Sequence, residues 1–302
     1  MDTLRIQHLA GYGLEVPDLA VAENFFTVFG LTPEHAGDLL QMHSRQAGPA
    51  EVLVLEAPHK KLHHLSFAIR EDDLERFTKH LPTMGCAVVT PPFGAIREGL
   101  WFQDPWGTWV NLVPMTPTSS EPSVKEREER VDRHKWRELD RHVRPNRLGH
   151  ALIFTPDYQR AELFYQQALG MRTSDVVKEK IIFLSGGTGI RDHHCFGLVP
   201  STHRGLQHSS FHVNSIDDIG FGARQLHQAG YTQGLGPGRH ALASNLFYYA
   251  RDPWGSFAEY YSDMDKISED WTASEWVNEP YIWPVFEPEF WGKEMNRNLE
   301  HR

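Results

Sequence analysis

One short segment occurs twice in this sequence, and the duplication constrains the fold more than any other feature. The first copy is "FQDPWGTWVNLV" near position 105, and the second is "ARDPWGSFAEYY" near position 253. Before each shared Asp-Pro-Trp-Gly turn, the pattern predicts a short alternating strand and an amphipathic helix. The repeat therefore defines the units from which the fold is built.

A second repeat precedes each of these copies. "GYGLEVPDLAVAENFFTVFGLTPE" and "GHALIFTPDYQRAELFYQQALGMRTS" both predict a strand, a Pro-Asp turn that caps a helix, and a Gly that leads into another strand. The chain is thus predicted to contain βαβββ-like modules at about 4–57, 60–115, 147–200 and 203–263. Paired modules predict an α+β fold with two domains, 1–115 and 147–265.

Two further segments lie outside the modules. Residues 116–146 are charged and poor in core residues, which predicts a linker with one solvated helix at most. In the tail, 266–302, Pro280, Pro284 and Pro288 rule out one long helix. Because exposed tryptophans are costly, we expect this aromatic tail to pack on the body, on a partner subunit or over a pocket.

Composition excludes some classes of function. A formal net charge of −10 at pH 7 argues against nucleic acid, which binds largely through Lys and Arg. The chain has no apolar run of roughly 18 residues, so we expect no membrane span. Cys86 and Cys195 form no disulfide framework, which favours a reducing cytoplasm as the location.

The two halves differ at three aligned positions. The second half offers two histidines and a glutamate, whereas the first half offers a glycine, a histidine and an asparagine. The aligned pairs are His150 with Gly11, His208 with His64, and Glu259 with Asn111. Two imidazoles and one carboxylate form the arrangement that binds non-haem Fe(II) and leaves positions open for substrate and dioxygen. A single strand histidine is more often a packing residue, but the asymmetry between repeats favours a metal site in the second half.

The segment around the second turn also resembles a known family. "GPGRHALASNLFYYARDPWGSFAEYY" is similar to the signature of type I extradiol ring-cleavage dioxygenases of the vicinal oxygen chelate superfamily: Gly-x-His, a Tyr, Asp-Pro-x-Gly and a metal-binding Glu. The resemblance covers about positions 3–265. It implies two glyoxalase/bleomycin-resistance-like domains, the first non-catalytic and the second holding the metal. Tyr248 is a mild departure, because the signature usually has an aliphatic residue or Phe there.

The resemblance implies roles for six residues. His150, His208 and Glu259 would bind Fe(II), with Mn(II) as an alternative metal. His194 would be the acid/base that handles the substrate protons, and His240 and Tyr249 would hydrogen-bond the bound catecholate. His193 is the rival to His194; because adjacent strand residues face opposite sides, only one of the two should point inward, and the spacing favours His194.

The implied activity is cleavage of a catechol beside the diol by O₂, in a homo-oligomer of four or more chains. Members that take carboxylated catechols carry a basic residue shortly before the Gly-Pro-Gly-Arg-His segment, where this chain has Leu235. Leu152, two positions past His150, is also apolar, and such a pocket wall favours an alkyl- or aryl-substituted catechol. Alternatives within the superfamily are a hydroxyphenylpyruvate-type dioxygenase, a glyoxalase-like enzyme and a metal-free binding or resistance protein.

Overall fold

The computed structural model describes residues 4–46, 48–91, 98–115, 141–278 and 281–282. Most of the predicted linker and the three tail prolines lie outside these residues. Within them the chain forms a seven-stranded sheet, a nine-stranded sheet and a small two-stranded sheet, with helices packed on the large sheets. No helix in the described ranges is long and apolar enough to cross a membrane.

The first half contains two helices and the seven-stranded sheet. Its elements, in chain order, are β1 (His8–Val16), α1 (Leu19–Val28), β2 (Thr32–Ala36), β3 (Leu39–His43), β4 (Val52–Glu56), β5 (Lys61–Ile69), a 3-10 turn (Glu71–Asp73), α2 (Leu74–Thr83), β6 (Leu100–Gln103) and β7 (Trp109–Pro114). The strand order is β2-β3-β4-β1-β5-β7-β6.

The second half contains the other two described helices and the nine-stranded sheet. Its elements are β8 (Arg147–Thr155), α3 (Tyr158–Leu169), β9 (Arg172–Val177), β10 (Ile181–Ser185), β11 (Arg191–Asp192), β12 (Phe196–Pro200), β13 (Gly205–His212), α4 (Ile216–Gln228), β14 (Gly234–Arg239), β15 (Leu246–Arg251), β16 (Phe257–Ser262), β17 (Lys266–Ile267) and β18 (Ser274–Trp276). The strand order is β14-β15-β16-β13-β8-β12-β10-β9-β18.

The two strand orders confirm the predicted α+β fold built from repeated modules. Seven strands have the same arrangement in both halves. The order β6-β7-β5-β1-β4-β3-β2 of the first half corresponds to β15-β16-β13-β8-β12-β10-β9 of the second. The predicted Pro-Asp caps are also present. The carboxylate of Asp18 accepts the backbone N–H of Val21, and that of Asp157 accepts the N–H of Arg160.

The described part of the tail packs on the body. β17 pairs with β11 to form the small sheet, and β18 extends the large second sheet by pairing in parallel with β9. Beyond them, Tyr281 forms an isolated bridge with His240. The described part of the tail therefore reaches the second half at three separate places: at β11, at β9 and just after β14.

The carboxylates of the two Asp-Pro-Trp-Gly turns organise their own loops. Oδ1 of Asp104 accepts the backbone N–H groups of Trp106 at 3.0 Å and Thr108 at 2.7 Å. Oδ1 of Asp252 does the same for Trp254 at 2.9 Å and Ser256 at 3.0 Å. Such Asx-type contacts satisfy backbone donors that the turn would otherwise leave unpaired, which explains why both copies keep the aspartate.

The second oxygen of each turn aspartate reaches the other half of the molecule. Tyr165, on α3, donates its hydroxyl to Oδ2 of Asp104 at 2.9 Å. Reciprocally, Nζ of Lys60, just before β5, lies 2.7 Å from Oδ2 of Asp252. The duplicated turn thus joins the two halves as well as ending each repeat.

Apolar contacts complete the junction between the halves. The ring of Phe29 stacks on that of Tyr260 with centroids 4.1 Å apart, and the Tyr260 hydroxyl donates to the Phe29 carbonyl at 2.7 Å. Phe67 meets Phe196 edge-on at 5.4 Å. One continuous buried cluster contains residues of both halves, so the two halves share part of their apolar core.

Removal of the Asp104 carboxylate should destabilise the protein. Asp104→Ala strips two backbone N–H groups and the buried Tyr165 hydroxyl of their partner, which should lower the free energy of unfolding by about 2–4 kcal/mol. Asp38→Ala, in the exposed turn between β2 and β3, should change it by less than about 0.5 kcal/mol. Denaturant unfolding of both variants measures this, and equal stabilities would contradict the assigned role of Asp104.

Candidate metal centre

Strand register brings the three predicted ligands to one face of the second sheet. Ser210, on β13, lies opposite His150 of β8 on one side and opposite Glu259 of β16 on the other. Residues directly opposite each other point to the same face, and so do residues two apart on one strand. His208 is two residues before Ser210, so its side chain joins the other two.

The side chains of this trio converge to contact distance. Oε2 of Glu259 lies 3.1 Å from Nε2 of His150 and 3.6 Å from Nε2 of His208. One candidate ligand atom from each residue lies within 4.8 Å of the others. The exposed fractions are only 2%, 5% and 0% for His150, His208 and Glu259, so the trio is shielded from bulk water.

The ionisation of the trio suits a divalent cation. Burial alone would raise the pKa of Glu259, but the hydrogen bond and charge of His150, together with His208, lower it to about 2. Burial lowers the pKa of His208 to about 3. At neutral pH an ionised carboxylate therefore lies beside a neutral imidazole, and a buried carboxylate of this kind needs a positive partner.

The unsatisfied polar atoms of the trio point to the same partner. Among the described residues, Nε2 of His208 and Oε2 of Glu259 are buried without a well-formed hydrogen bond. Buried polar atoms normally have a partner, and these are the atoms that face one another in the trio. Nδ1 of His208 lies against Oε1 of Gln207, the kind of contact that orients a ligating imidazole. The residues present therefore fit a bound metal ion.

The other three predicted site residues surround the trio. The ring of His194 lies 4.4 Å from that of His150. Tyr249 pairs with Glu259 in the β15–β16 register, and its hydroxyl is 3.2 Å from Nε2 of His240. Burial, and then the neighbouring His150, lower the pKa of His194 well below its usual range, so this imidazole is neutral at pH 7.

The reason given for choosing between His193 and His194 is wrong. These residues lie in a bend between β11 and β12, not on a strand, so strand alternation does not apply to them. Both rings are buried, and their Nδ1 atoms are 3.1 Å apart. His194 is the one beside the trio, whereas the Nε2 of His193 lies 3.3 Å from Oδ2 of Asp175.

Sequence reasoning overlooked other polar residues near the trio. The side-chain amide of Asn245 lies 3.5 Å from Oε1 of Glu259, and Asn245 is buried. Its position between His240 and Tyr249, in the segment that carries the resemblance, was an available signal. No sequence pattern pointed to Asp175, because it contacts His193 across the fold, from β9 to the bend before β12.

Apolar side chains surround the predicted acid/base residues. The ring of Phe183 lies 4.6 Å from that of His194 and belongs to a buried apolar cluster with Leu152. Phe247 stacks on His240 with centroids 4.1 Å apart. A flat apolar ligand would find matching walls on both sides of the polar groups.

The first half has the same register but a different filling. Ser66, on β5, lies opposite Gly11 and opposite Asn111, just as Ser210 lies between His150 and Glu259. Trp101 pairs with Asn111 where Tyr249 pairs with Glu259, and its ring packs 5.0 Å from that of His64. A fully buried tryptophan thus fills this half, and Asn111 offers no carboxylate.

Comparison with known proteins identifies the family. The model of the Glyoxalase/Bleomycin resistance protein/Dioxygenase superfamily matches residues 5–112 and 147–260. The chain belongs to this superfamily, and the two matched ranges agree with its two large sheets. Because the superfamily name covers several reactions, the particular chemistry depends on the site.

Dioxygenases are among the proteins that this chain resembles. Metapyrocatechase 2 of Cupriavidus necator is 40% identical over 287 residues, covering 92% of this chain and 89% of the relative. Biphenyl-2,3-diol 1,2-dioxygenase of Pseudomonas sp. (strain KKS102) is 31% identical over 116 residues, 35% of this chain and 38% of that protein. Among solved structures, BphC, a halotolerant catechol dioxygenase, superposes with a TM-score of 0.74 at 21% identity, covering 95% of this chain and 97% of that one.

Loss of the Glu259 charge should abolish metal binding. Glu259→Gln keeps the shape but removes the anion, so the affinity for a divalent metal should fall by roughly 100-fold or more. Asn111→Ala, at the equivalent position of the first half, should leave the affinity unchanged. Anaerobic Fe(II) titration and metal analysis after desalting measure both, and Glu259→Gln protein that retains metal like the wild type would refute the assigned ligand set.

Proposed function

We propose that this protein is a non-haem Fe(II)-dependent extradiol dioxygenase that cleaves a catechol beside the diol and incorporates both atoms of O₂, in the catabolism of aromatic compounds. One observation carries the proposal: the buried trio of His150, His208 and Glu259 lies beside His194 and the His240–Tyr249 pair. The names of the relatives agree with this chemistry.

The trio would hold the metal through two imidazoles and one carboxylate. When bound, the ion supplies Lewis acidity that favours the ionised diol and, if it is iron, the capacity to pass electrons between the ring and dioxygen. With one carboxylate, the site keeps a net positive charge that attracts an anionic oxygen of the substrate.

His194 handles the substrate proton. Its ring lies 4.4 Å from that of His150, and an imidazole in its neutral form has a lone pair that can accept a proton from a catechol hydroxyl. The same nitrogen can return that proton as the ring opens. The ring of Phe183 lies 4.6 Å from that of His194, so the imidazole has an apolar neighbour at this position.

His240 and Tyr249 hold the diol in place. Their side chains are hydrogen-bonded to each other at 3.2 Å, so their positions are mutually fixed before the substrate arrives. Tyr249 lies opposite Glu259 in the sheet, and its ring is 5.3 Å from that of His208, which supports a role beside the trio. A hydroxyphenylpyruvate-type dioxygenase would share the trio but should lack the set of His194, His240 and Tyr249, so this set favours the extradiol reaction.

The apolar walls favour an alkyl- or aryl-substituted catechol. Leu152 and Phe183 belong to one buried apolar cluster, and Phe247 covers His240. A substituent carrying a carboxylate would lose its hydration there without a compensating charge. Leu235 is also buried, opposite Tyr249 in the sheet.

The identity of the metal, the oligomeric state and the location of the protein are predictions. The ligand types suit Fe(II), and Mn(II) is the alternative, since both accept imidazole and carboxylate. A homo-oligomer of four or more chains and a cytoplasmic location follow from the resemblance and the cysteine count.

Oxygen and a catechol should give a yellow product. Protein loaded with Fe(II) under argon and then mixed with an alkyl- or arylcatechol and ¹⁸O₂ should form a yellow ring-opened acid that carries both labelled atoms. A carboxylated catechol should react with a kcat/KM lower by at least about tenfold, the cost of burying an unpaired charge. Absence of product with every catechol tested, although iron is bound, would overturn the proposed function.

Replacement of His194 should affect the chemical step more than binding. His194→Gln should lower kcat by about 10²–10⁴-fold, the usual contribution of general acid–base catalysis, because the side chain keeps its polarity but cannot accept the proton. Iron content and anaerobic catechol affinity should stay within about threefold of wild type. Stopped-flow turnover and anaerobic titration separate the two, and unchanged kcat would exclude His194 as the acid/base.

A further inference from the structure

A series of buried contacts leads from a carboxylate to His194 on the side away from the trio. Oδ2 of Asp175, on β9, lies 3.3 Å from Nε2 of His193. Nδ1 of His193 lies 3.1 Å from Nδ1 of His194, with the two rings nearly perpendicular at 89°. All three side chains are buried, so bulk water does not compete for these contacts. We call them the Asp175–His193–His194 series.

The aromatic tail anchors the far end of this series. The backbone N–H of Ser274, on β18, donates to Oδ1 of Asp175 at 2.6 Å, and the two residues pair in the sheet. The indole of Trp271 donates to the Ser174 carbonyl at 2.7 Å and meets the His193 ring edge-on at 5.5 Å. With Oδ1 engaged by the tail, Oδ2 remains for His193.

The direction of the protons follows if Asp175 is ionised and His193 is neutral. A carboxylate only accepts, so Nε2 of His193 must carry the hydrogen of that contact. A neutral imidazole carries one hydrogen, so Nδ1 of His193 is then an acceptor. His194 must therefore donate from its own Nδ1, which leaves its Nε2 as the nitrogen with a lone pair.

We propose that Asp175 and His193 are positioning residues that hold His194 in the Nδ1–H tautomer, with the tail segment 271–276 keeping the carboxylate in place. The role rests on the proposed function of His194 as the acid/base, because only a lone pair at Nε2 can take a proton from the substrate. Asp175 acts through His193 and does not touch the substrate, yet it determines which nitrogen of His194 is the base.

The tautomer can be observed without turnover. In the full-length protein labelled with ¹⁵N-histidine, both metal-free and loaded with diamagnetic Zn(II), long-range ¹H–¹⁵N spectra distinguish protonated from unprotonated ring nitrogens. His194 is assigned by the signals that His194→Gln removes. We expect a protonated Nδ1 and an unprotonated Nε2 in the wild type; the opposite pattern overturns the proposal and needs no variant of Asp175.

A change of Asp175 should reverse the pattern. The amide of Asp175→Asn can donate to Nε2 of His193, which reverses both contacts and moves the hydrogen of His194 to Nε2. Asp175→Glu keeps a carboxylate and should keep the wild-type tautomer. An unchanged tautomer in Asp175→Asn contradicts the proposal.

The kinetic readout separates positioning from a general loss of structure. In iron-loaded Asp175→Asn, kcat should fall by about 10²–10⁴-fold while KM and iron content stay within about threefold, and Asp175→Glu should recover part of kcat.

His63→Gln disrupts another pair of adjacent buried histidines, whose Nδ1 atoms are 2.7 Å apart in the first half, and should keep kcat within about twofold. A loss in His63→Gln equal to that in Asp175→Asn would contradict the assigned role. If the wild-type protein cleaves no catechol, the proposed function fails while the tautomer measurement still decides the geometry.

Discussion

The burial of one carboxylate governs the arrangement of the second half. Glu259 is fully buried and ionised, and the hydrogen bond and charge of His150, together with His208, hold its pKa at about 2 against the effect of burial. An ionised group in that position is costly unless a positive partner joins it. A divalent metal ion bound among the three side chains would supply that charge. The three strands that carry the trio, β8, β13 and β16, lie at the centre of the sheet with further strands on both sides, which keeps the three side chains together.

The duplication explains how the described residues of one half bring the candidate trio together while those of the other half do not. Both halves align three positions around a central serine, Ser66 or Ser210, through the same strand register. In the first half Trp101 packs against His64 and fills the equivalent space, which converts a site into core. The reciprocal contacts of Asp104 with Tyr165 and of Asp252 with Lys60 then make each half part of the frame of the other.

Most of the fold could be predicted from the sequence because the same pattern of strands and helices occurs in both halves. Hydrophobic periodicity, the Pro-Asp caps and the shared turns define the modules, and the strand orders confirm them. The candidate ligands were also accessible, since aligning the repeats isolates His150, His208 and Glu259 as the positions that differ in chemistry. Their contact depends on register, which the pattern of each strand alone does not specify.

What the sequence did not reveal are contacts between distant segments and a local backbone bend. Strand alternation predicts that only one of His193 and His194 points inward, but the chain bends there and both rings are buried. The pairing of β18 with β9 joins segments far apart in the chain through backbone groups, which the residue types do not indicate. This pairing brings the N–H of Ser274 to the Asp175 carboxylate. Asn245 could have been noticed, because it lies within the recognised segment.

The location of the metal is the most direct test of the account. Crystals grown anaerobically with Fe(II) and measured at the iron absorption edge should show one anomalous peak per chain, among His150, His208 and Glu259. The first half should show none. A peak beside His64 and Asn111, or density at the trio that carries no iron signal after loading, would contradict the claim that the second half alone is the metal-binding half.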